Sequence, residues 1–233
     1  GEYFYSEKEY DSAEKEYLEI IDNAEDIEMV DTSIERLTDI FGRAKRLEEG
    51  IKKFDDASKM QKDNKIIMGK IKMGMVNLYF SQKKIDLALK IWGEISTSIP
   101  KEYFTANNYY TVGSNLERIG REKEALTLYL DAISRYPDDI VIPYCYAIAS
   151  YIQLNAGKNP AEIYNFIKNA LTKFKGMESL PEVSLVLAQH YFDKGDTDEA
   201  IKYYKLSIGK AKGKIGAESM YRLATSYFKK NKY

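Results

Sequence analysis

A repeat of about 37 residues runs through this chain of 233 residues and constrains its fold more than any other feature. Each copy holds a small residue, a large apolar residue four positions later, and a small or apolar residue after three more. Spacings of four and seven put these side chains on one helix face. The pattern therefore predicts similar helices at even intervals. The sets are Ala13/Tyr17/Ile20, Gly50/Phe54/Ala57, Ala88/Trp92/Ile95, Ala125/Tyr129/Ala132, Ile163/Ile167/Ala170 (where an isoleucine replaces the small residue) and Ala200/Tyr204/Ser207.

A second apolar stripe precedes each of these helices. In the clearest copy, residues 106–139, a polar break at 120–124 separates the two stripes. We expect a helical hairpin in which Gly113 and Ala125 meet at the crossing and Tyr129 fills the space beside them. The corresponding first-helix position, nine residues before the small residue, is occupied by Phe4, Phe41, Tyr79, Leu116 and Tyr191, with Ala149 and Ile152 in the first-helix places of the fifth copy.

These units resemble tetratricopeptide repeats, whose pattern is a small residue and an aromatic on the first helix, then alanine, aromatic, alanine and proline on the second. The best match is Gly113, Leu116, Ala125, Tyr129, Ala132 and Pro137, followed by Ala188, Tyr191, Gly195, Ala200 and Tyr204, while Ala224, Tyr227 and Tyr233 begin another copy. The resemblance implies an all-α, right-handed solenoid of stacked antiparallel hairpins. The period is near 37 instead of the usual ~34, and no particular member of the superfamily is indicated.

The whole chain is expected to form a single TPR-like solenoid, with both ends inside a unit. It is therefore expected to be a piece of a longer protein. The predicted units are 1–30 (partial), 31–66, 67–103, 104–140, 141–178, 179–214 and 215–233 (partial).

Composition excludes several classes of protein. Apolar residues make up 44% and charged residues 30%, which is too apolar for a disordered chain. No run approaches the ~18–20 apolar residues that a membrane-spanning helix needs. A single cysteine rules out an internal disulfide, and a single histidine rules out a multi-histidine metal site. We expect no cofactor and no bound metal.

Candidate catalytic residues are few, and each fits a structural role better. The lysine-rich segment 209–214 lacks the spacing and the final Ser or Thr of a phosphate-binding loop. His190 has no second histidine or nearby cysteine to work with, and Cys145 is expected to pack as a small apolar residue. Three aspartates at 193, 196 and 198 fit loop capping better than a calcium loop. We therefore expect no enzyme activity.

Stacked hairpins offer a long concave surface lined by the first helix of each unit. Aromatic residues beside short polar ones in successive units could hold an extended peptide or a partner helix. We therefore expect a non-catalytic protein-interaction scaffold. The predicted groove residues are Met73, Asn77, Tyr110, Ser114, Tyr146, Ser150, Leu185, Gln189 and Tyr221.

Other functions stay open at this stage. The chain could be a regulatory or substrate-presenting arm of a larger enzyme, or an RNA-binding helical repeat. The RNA reading is weakened by acids such as Glu35 and Asp39 on the expected surface. The same acids oppose a clamp for C-terminal carboxylates, which chaperone-binding tetratricopeptide domains build from lysine, asparagine and arginine; only Asn77 fits that pattern.

Charge is distributed unevenly along the chain. Residues 1–31 carry twelve acids against two lysines, while residues 201–233 carry nine bases against Glu218 alone. Opposite charges at the two ends predict salt-sensitive head-to-tail self-association. A composition rich in Lys, Ile, Tyr and Asn suggests a bacterial source. The chain shows no targeting segment, and bacterial cytoplasm and periplasm both stay open.

Overall fold

The computed structural model describes residues 1–23 and 26–230, and these residues form thirteen α-helices and two short 3₁₀ turns without any strand. The helices are α1 (Glu2–Ser6), α2 (Tyr10–Asn23), α3 (Ile27–Arg43), α4 (Leu47–Met60), α5 (Lys65–Ser81), α6 (Ile85–Ser98), α7 (Ala106–Arg118), α8 (Glu122–Arg135), α9 (Ile142–Asn155), α10 (Pro160–Lys173), α11 (Pro181–Asp193), α12 (Thr197–Lys210) and α13 (Gly213–Lys230). Within α1–α6 and within α7–α13, consecutive helices pack against each other as hairpins. The all-α solenoid expected from the sequence is confirmed.

Helix ends follow local sequence chemistry. The side chains of Asp26, Asn64 and Thr105 accept hydrogen bonds from backbone amides in the first turns of α3, α5 and α7. Asn159 and Asp196 do the same for α10 and α12. Such caps satisfy amides that have no partner within the helix.

Each hairpin turn contains one residue in the left-handed region, and these residues recur with the repeat. They are Lys8, Lys45, Lys83, Gly120, Gly157 and Gly195, with φ between 57° and 84°. In the α3–α4 turn, the Arg46 amide donates to the Phe41 carbonyl at 2.9 Å. In the α11–α12 turn, the Asp196 amide donates to the Tyr191 carbonyl at the same distance. This helix-ending arrangement requires a positive φ, which explains the glycines at three of the six turns.

The chain divides into two compact units, residues 1–104 and 105–233. The core of the first unit is built from the stripes of α2 to α5, with the rings of Phe41 and Phe54 meeting edge to face at 6.1 Å. A Cβ on Gly50 would lie 2.6 Å from the Phe41 ring, so this close approach requires a glycine. In the second unit, Ile163, Ile167 and neighbouring apolar side chains fill the interior.

The repeat stripes predicted from the sequence form this interior. Seventeen of the eighteen residues in the six sets are buried, and the exception is Ile20, which is half-buried because Ile21 points inward instead. On the first helices, Phe41 and Leu116 are buried, whereas Phe4, Tyr79 and Tyr191 are half-buried. Tyr233 lies outside the described residues.

Candidate partner-binding surface

The nine predicted groove residues divide according to their burial. Asn77, Tyr110, Ser114 and Tyr146 are half-buried and Tyr221 is 75% exposed, while Met73, Ser150, Leu185 and Gln189 lie in the interior. The first unit contains Met73 and Asn77, and the second unit contains the other seven. Five of the nine side chains are therefore accessible in this structure.

Two of these interior residues, Ser150 and Gln189, form hydrogen bonds within their own unit. The Ser150 hydroxyl donates to the Ala147 carbonyl at 2.8 Å. Gln189 accepts hydrogen bonds from Tyr204 at 3.1 Å and from Arg222. Helical spacing alone did not show that α12 and α13 cover this part of α11.

In the first unit, Asn77 occupies a half-buried position on α5. Its Oδ1 atom is buried and has no hydrogen-bond partner among the residues that the structure describes. Met73, one turn earlier on the same helix, is 5% exposed. Asn77 is therefore the accessible part of the predicted groove in this unit.

The aromatic surface of the second unit involves a residue that the sequence reasoning missed. Tyr146 packs on Phe166 of its own second helix, with ring centroids 5.0 Å apart. Tyr144, on the first turn of α9, is 49% exposed and meets Tyr110 of α7 edge to face at 6.4 Å. The only signal in the sequence was that Tyr144 directly follows Pro143 in the first turn of α9.

Tyr129 reaches from α8 across α7. A Cβ on Gly113 would lie 2.9 Å from Tyr129 Cε1 and 3.1 Å from Cζ, so the ring passes directly over the glycine. The sequence predicts that Tyr129 fills the space beside Gly113, and in the structure its ring lies against that glycine. The Tyr129 hydroxyl is buried, without a hydrogen-bond partner among the described residues. Because Gly113 lies between Tyr110 and Glu117 on α7, the ring crosses the helix between those two side chains.

Glu117 lies near Tyr129, and Glu182 lies near Glu117 and Tyr110. Burial raises the pKa of Glu117, and the nearby charges of Glu182 and Glu122 raise it further. Burial also raises the pKa of Tyr129, with Glu117 and Tyr110 adding to the effect. Within the described part of the chain, neither Glu117 nor Glu182 forms an ion pair. We call Tyr110, Glu117, Tyr129 and Glu182 the tyrosine–glutamate cluster.

The residues considered for catalysis have structural surroundings. His190 is 4% exposed and stacks on Tyr164 at 4.3 Å between ring centroids, and burial lowers the pKa of its imidazole. Cys145 is fully buried, and burial raises the pKa of its thiol to about 12. Asp196 caps α12 by accepting a hydrogen bond from the Glu199 amide at 3.2 Å. No group of three potential metal-binding His, Cys, Asp or Glu side chains occurs among the described residues.

The last described helix has an apolar outer face. Met220 and Tyr221 are 58% and 75% exposed, and Phe228 is 64% exposed. The opposite face of α13, with Ser219 and Ser226, is buried against the rest of its unit. Among the described helices, none is long and apolar enough to span a membrane.

Comparisons with known proteins agree with this architecture. Residues 181–209, which cover α11 and most of α12, match the family model for the tetratricopeptide repeat. A solved structure titled "Functional Characterization of Pseudomonas Aeruginosa pilF" matches with a TM-score of 0.59 and 16% sequence identity, over 95% of this chain and 87% of that chain. At this identity the likeness shows a shared fold. No curated protein matches the chain.

Proposed function

From a chain built of tetratricopeptide-like repeats, we infer a non-catalytic scaffold that holds a peptide or a partner helix against its first helices. The repeat match and the fold support a protein-interaction scaffold in general. The finer proposal is that the second unit binds its partner at the accessible aromatic residues of α7 and α9.

The contact between Tyr110 and Tyr144 carries this proposal. Both rings belong to first helices of neighbouring hairpins, and both keep part of their surface open. Tyrosine rings provide a large contact area while losing little conformational entropy, and binding energy is usually concentrated in a few such residues. Ser114, one turn after Tyr110 and half-buried, would add a polar contact beside them.

Two features of the second unit, its carboxylates near Tyr110 and its buried thiol, favour a protein partner over RNA and over a catalytic role. Glu117 and Glu182, near Tyr110, would repel a phosphate backbone, whereas RNA-binding surfaces are rich in Lys and Arg. Cys145 is a buried thiol with a raised pKa, and such thiols are weak nucleophiles.

Binding measurements with an identified partner test the proposal. Partners captured by the immobilised chain would be identified and purified, and then titrated against wild type and against the double variant Tyr110→Ala/Tyr144→Ala. We expect the double variant to bind at least about thirtyfold more weakly, which corresponds to roughly 2 kcal/mol. Tyr3→Ala is a matched control, since Tyr3 is 70% exposed in the first unit.

Tyr110→Ala/Tyr146→Ala, measured in parallel, tests the two tyrosines that helical spacing places among the predicted groove residues of neighbouring units. Circular dichroism and thermal unfolding confirm that each variant folds. If the Tyr110→Ala/Tyr144→Ala variant folds and binds as tightly as wild type, this aromatic surface does not hold the partner.

A further inference from the structure

We propose that the tyrosine–glutamate cluster binds the cationic end of a lysine or arginine side chain from the partner protein. The inference rests on the proposed function, because it assigns a chemistry to one end of the same surface. The partner segment recognised there would therefore be basic.

The geometry begins with one face of α7. Tyr110, Gly113 and Glu117 follow one another at spacings of three and four residues, so they share that face. The missing side chain at Gly113 leaves room for the Tyr129 ring, which crosses α7 there. Tyr110 and Tyr129 lie 6.0 Å apart between ring centroids. Two aromatic rings and a carboxylate thus border the same spot.

The unpaired hydroxyl of Tyr129 also points to a ligand at this place. Tyr129 is fully buried, yet its hydroxyl has no hydrogen-bond partner among the described residues. Buried polar groups in proteins nearly always have a partner, because leaving one unpaired costs about 1–3 kcal/mol. By contrast, the equivalent Tyr204 of α12 donates to Gln189 and the equivalent Tyr17 of α2 donates to Glu2. A guanidinium or ammonium group entering beside Tyr110 would offer the hydroxyl oxygen a donor.

The charges favour a cation at this place. Elsewhere in the described chain, arginine pairs with both buried and exposed glutamates: Arg46 lies 2.8 Å from the buried Glu14, and Arg121 lies 2.6 Å from the exposed Glu124. Glu117 and Glu182 have no such ion-pair partner within residues 1–23 and 26–230. A positive group between them would relieve their mutual repulsion, and the faces of the tyrosine rings would attract it as well.

A side-chain cation fits the cluster better than a metal ion does. Calcium takes six to eight oxygen ligands and magnesium usually needs carboxylates in a near-octahedral arrangement. The cluster offers two carboxylates, and the described residues contain no set of three potential metal-binding side chains. A flat guanidinium, which can donate several hydrogen bonds and stack on tyrosine, matches the two rings and the two carboxylates.

A titration with short peptides tests the cluster without the natural partner. The probe is acetyl-Gly-Arg-Gly-amide, added to the whole chain while the NMR signals of the Glu117 and Glu182 carboxyl carbons and of the tyrosine rings are followed. Its control is the same peptide with citrulline, which has the same shape and no charge. We expect the arginine peptide to shift the signals of all four cluster residues in a saturable way, and the citrulline peptide to shift them at least about tenfold more weakly.

Variants of the cluster complete the experiment. Glu117→Gln/Glu182→Gln should weaken binding of the arginine peptide by about tenfold or more, and Tyr129→Phe should weaken it less. Both changes keep the shape of the side chain, so folding is expected to persist, and the single glutamine variants are measured as well. Glu162→Gln, an exposed residue on α10, is the matched control and should bind as wild type does.

Three results would overturn the proposal: no saturable shift, equal binding of the citrulline peptide, or unchanged binding by Glu117→Gln/Glu182→Gln. Binding measurements with the natural partner distinguish a failure of this proposal from a failure of the proposed function. If Tyr110→Ala/Tyr144→Ala weakens binding of the partner but Glu117→Gln/Glu182→Gln does not, the proposed aromatic docking surface is supported and the proposed cation site is wrong. If the arginine peptide binds the cluster but neither double variant weakens binding of the natural partner, the cluster binds free cations only, and both the assignment to a partner side chain and the aromatic docking surface are wrong.

Discussion

Gly113 on α7 and Tyr129 on α8 are in direct contact, with the tyrosine ring lying where a side chain at residue 113 would begin. A Cβ there would be 2.9 Å from Tyr129 Cε1, which is closer than real Cβ atoms come to their neighbours. Since Tyr129 is fully buried, its ring has little freedom to move away. The hairpin therefore depends on the absence of a side chain at residue 113.

We therefore predict that Gly113→Ala lowers the free energy of unfolding by about 1–3 kcal/mol through overpacking. Gly93→Ala is the control, because a Cβ on that helical glycine would meet nothing within 4 Å. This control should be stabilised by up to about 1 kcal/mol, since alanine favours helix over glycine. Urea unfolding measures both variants. Equal stability of Gly113→Ala and wild type would contradict the packing described.

The left-handed turn residues give a second prediction. Lys45 in the α3–α4 turn has φ of 57°, and the corresponding Gly195 in the α11–α12 turn has φ of 84°. Lys45→Gly should stabilise the protein by roughly 0.5–1 kcal/mol, because glycine avoids the strain of a side chain in this conformation. Gly195→Ala should destabilise it by about 1 kcal/mol. Thermal unfolding of the two variants should show shifts of opposite sign, and shifts of the same sign would refute the prediction.

The raised pKa of Glu117 predicts a dependence of stability on pH. The folded chain holds this proton more tightly than the unfolded chain, whose glutamates titrate near 4.5. As the pH rises from that value through the higher folded pKa, Glu117 therefore lowers the free energy of unfolding. Glu117→Gln should be more stable than wild type near neutral pH, and the difference should shrink on acidification. Urea unfolding over this range, with Glu162→Gln as control, measures the effect; a constant difference would argue against a strained carboxylate.

The surroundings of Cys145 predict slow thiol chemistry. The side chain is fully buried, and its thiol pKa of about 12 leaves little thiolate at neutral pH. Reaction with an aromatic disulfide reagent should be at least about a hundredfold slower in the folded protein than in concentrated guanidinium chloride. Rapid reaction of the folded chain would contradict this prediction, because it would mean that α9 frequently exposes Cys145 to solvent.

Self-association tests the role of the charged ends. The acidic residues 1–31 and the basic residues 201–233 predict association that weakens as salt increases. The apolar outer face of α13 offers a competing cause, which salt would not weaken. Light scattering at low and high salt, on wild type and on Met220→Glu/Tyr221→Glu, separates them. We expect salt to dissociate the wild type; association that survives high salt and disappears in the double variant would assign it to α13.

The amino-acid sequence by itself determined the repeat and the helices. Small, aromatic and apolar residues at spacings of four and seven predicted the buried stripes because an α-helix brings such positions to one side whatever its neighbours are. The match was close for Ala125 and Tyr129, both fully buried, and failed by one residue at Ile20, where Ile21 takes the inward position. The positions that share one face of a single helix can therefore be predicted from the local sequence alone.

Only the tertiary structure decided which surface residues stay accessible. Leu185 and Gln189 have the spacing of groove residues, yet they are buried, because accessibility depends on how neighbouring helices cross. Tyr144 faces Tyr110 for the same reason, although Tyr146 fitted the spacing better. The tyrosine–glutamate cluster joins residues of α7, α8 and α11, and no spacing within one helix could have predicted it, since such contacts depend on packing between elements distant in the chain.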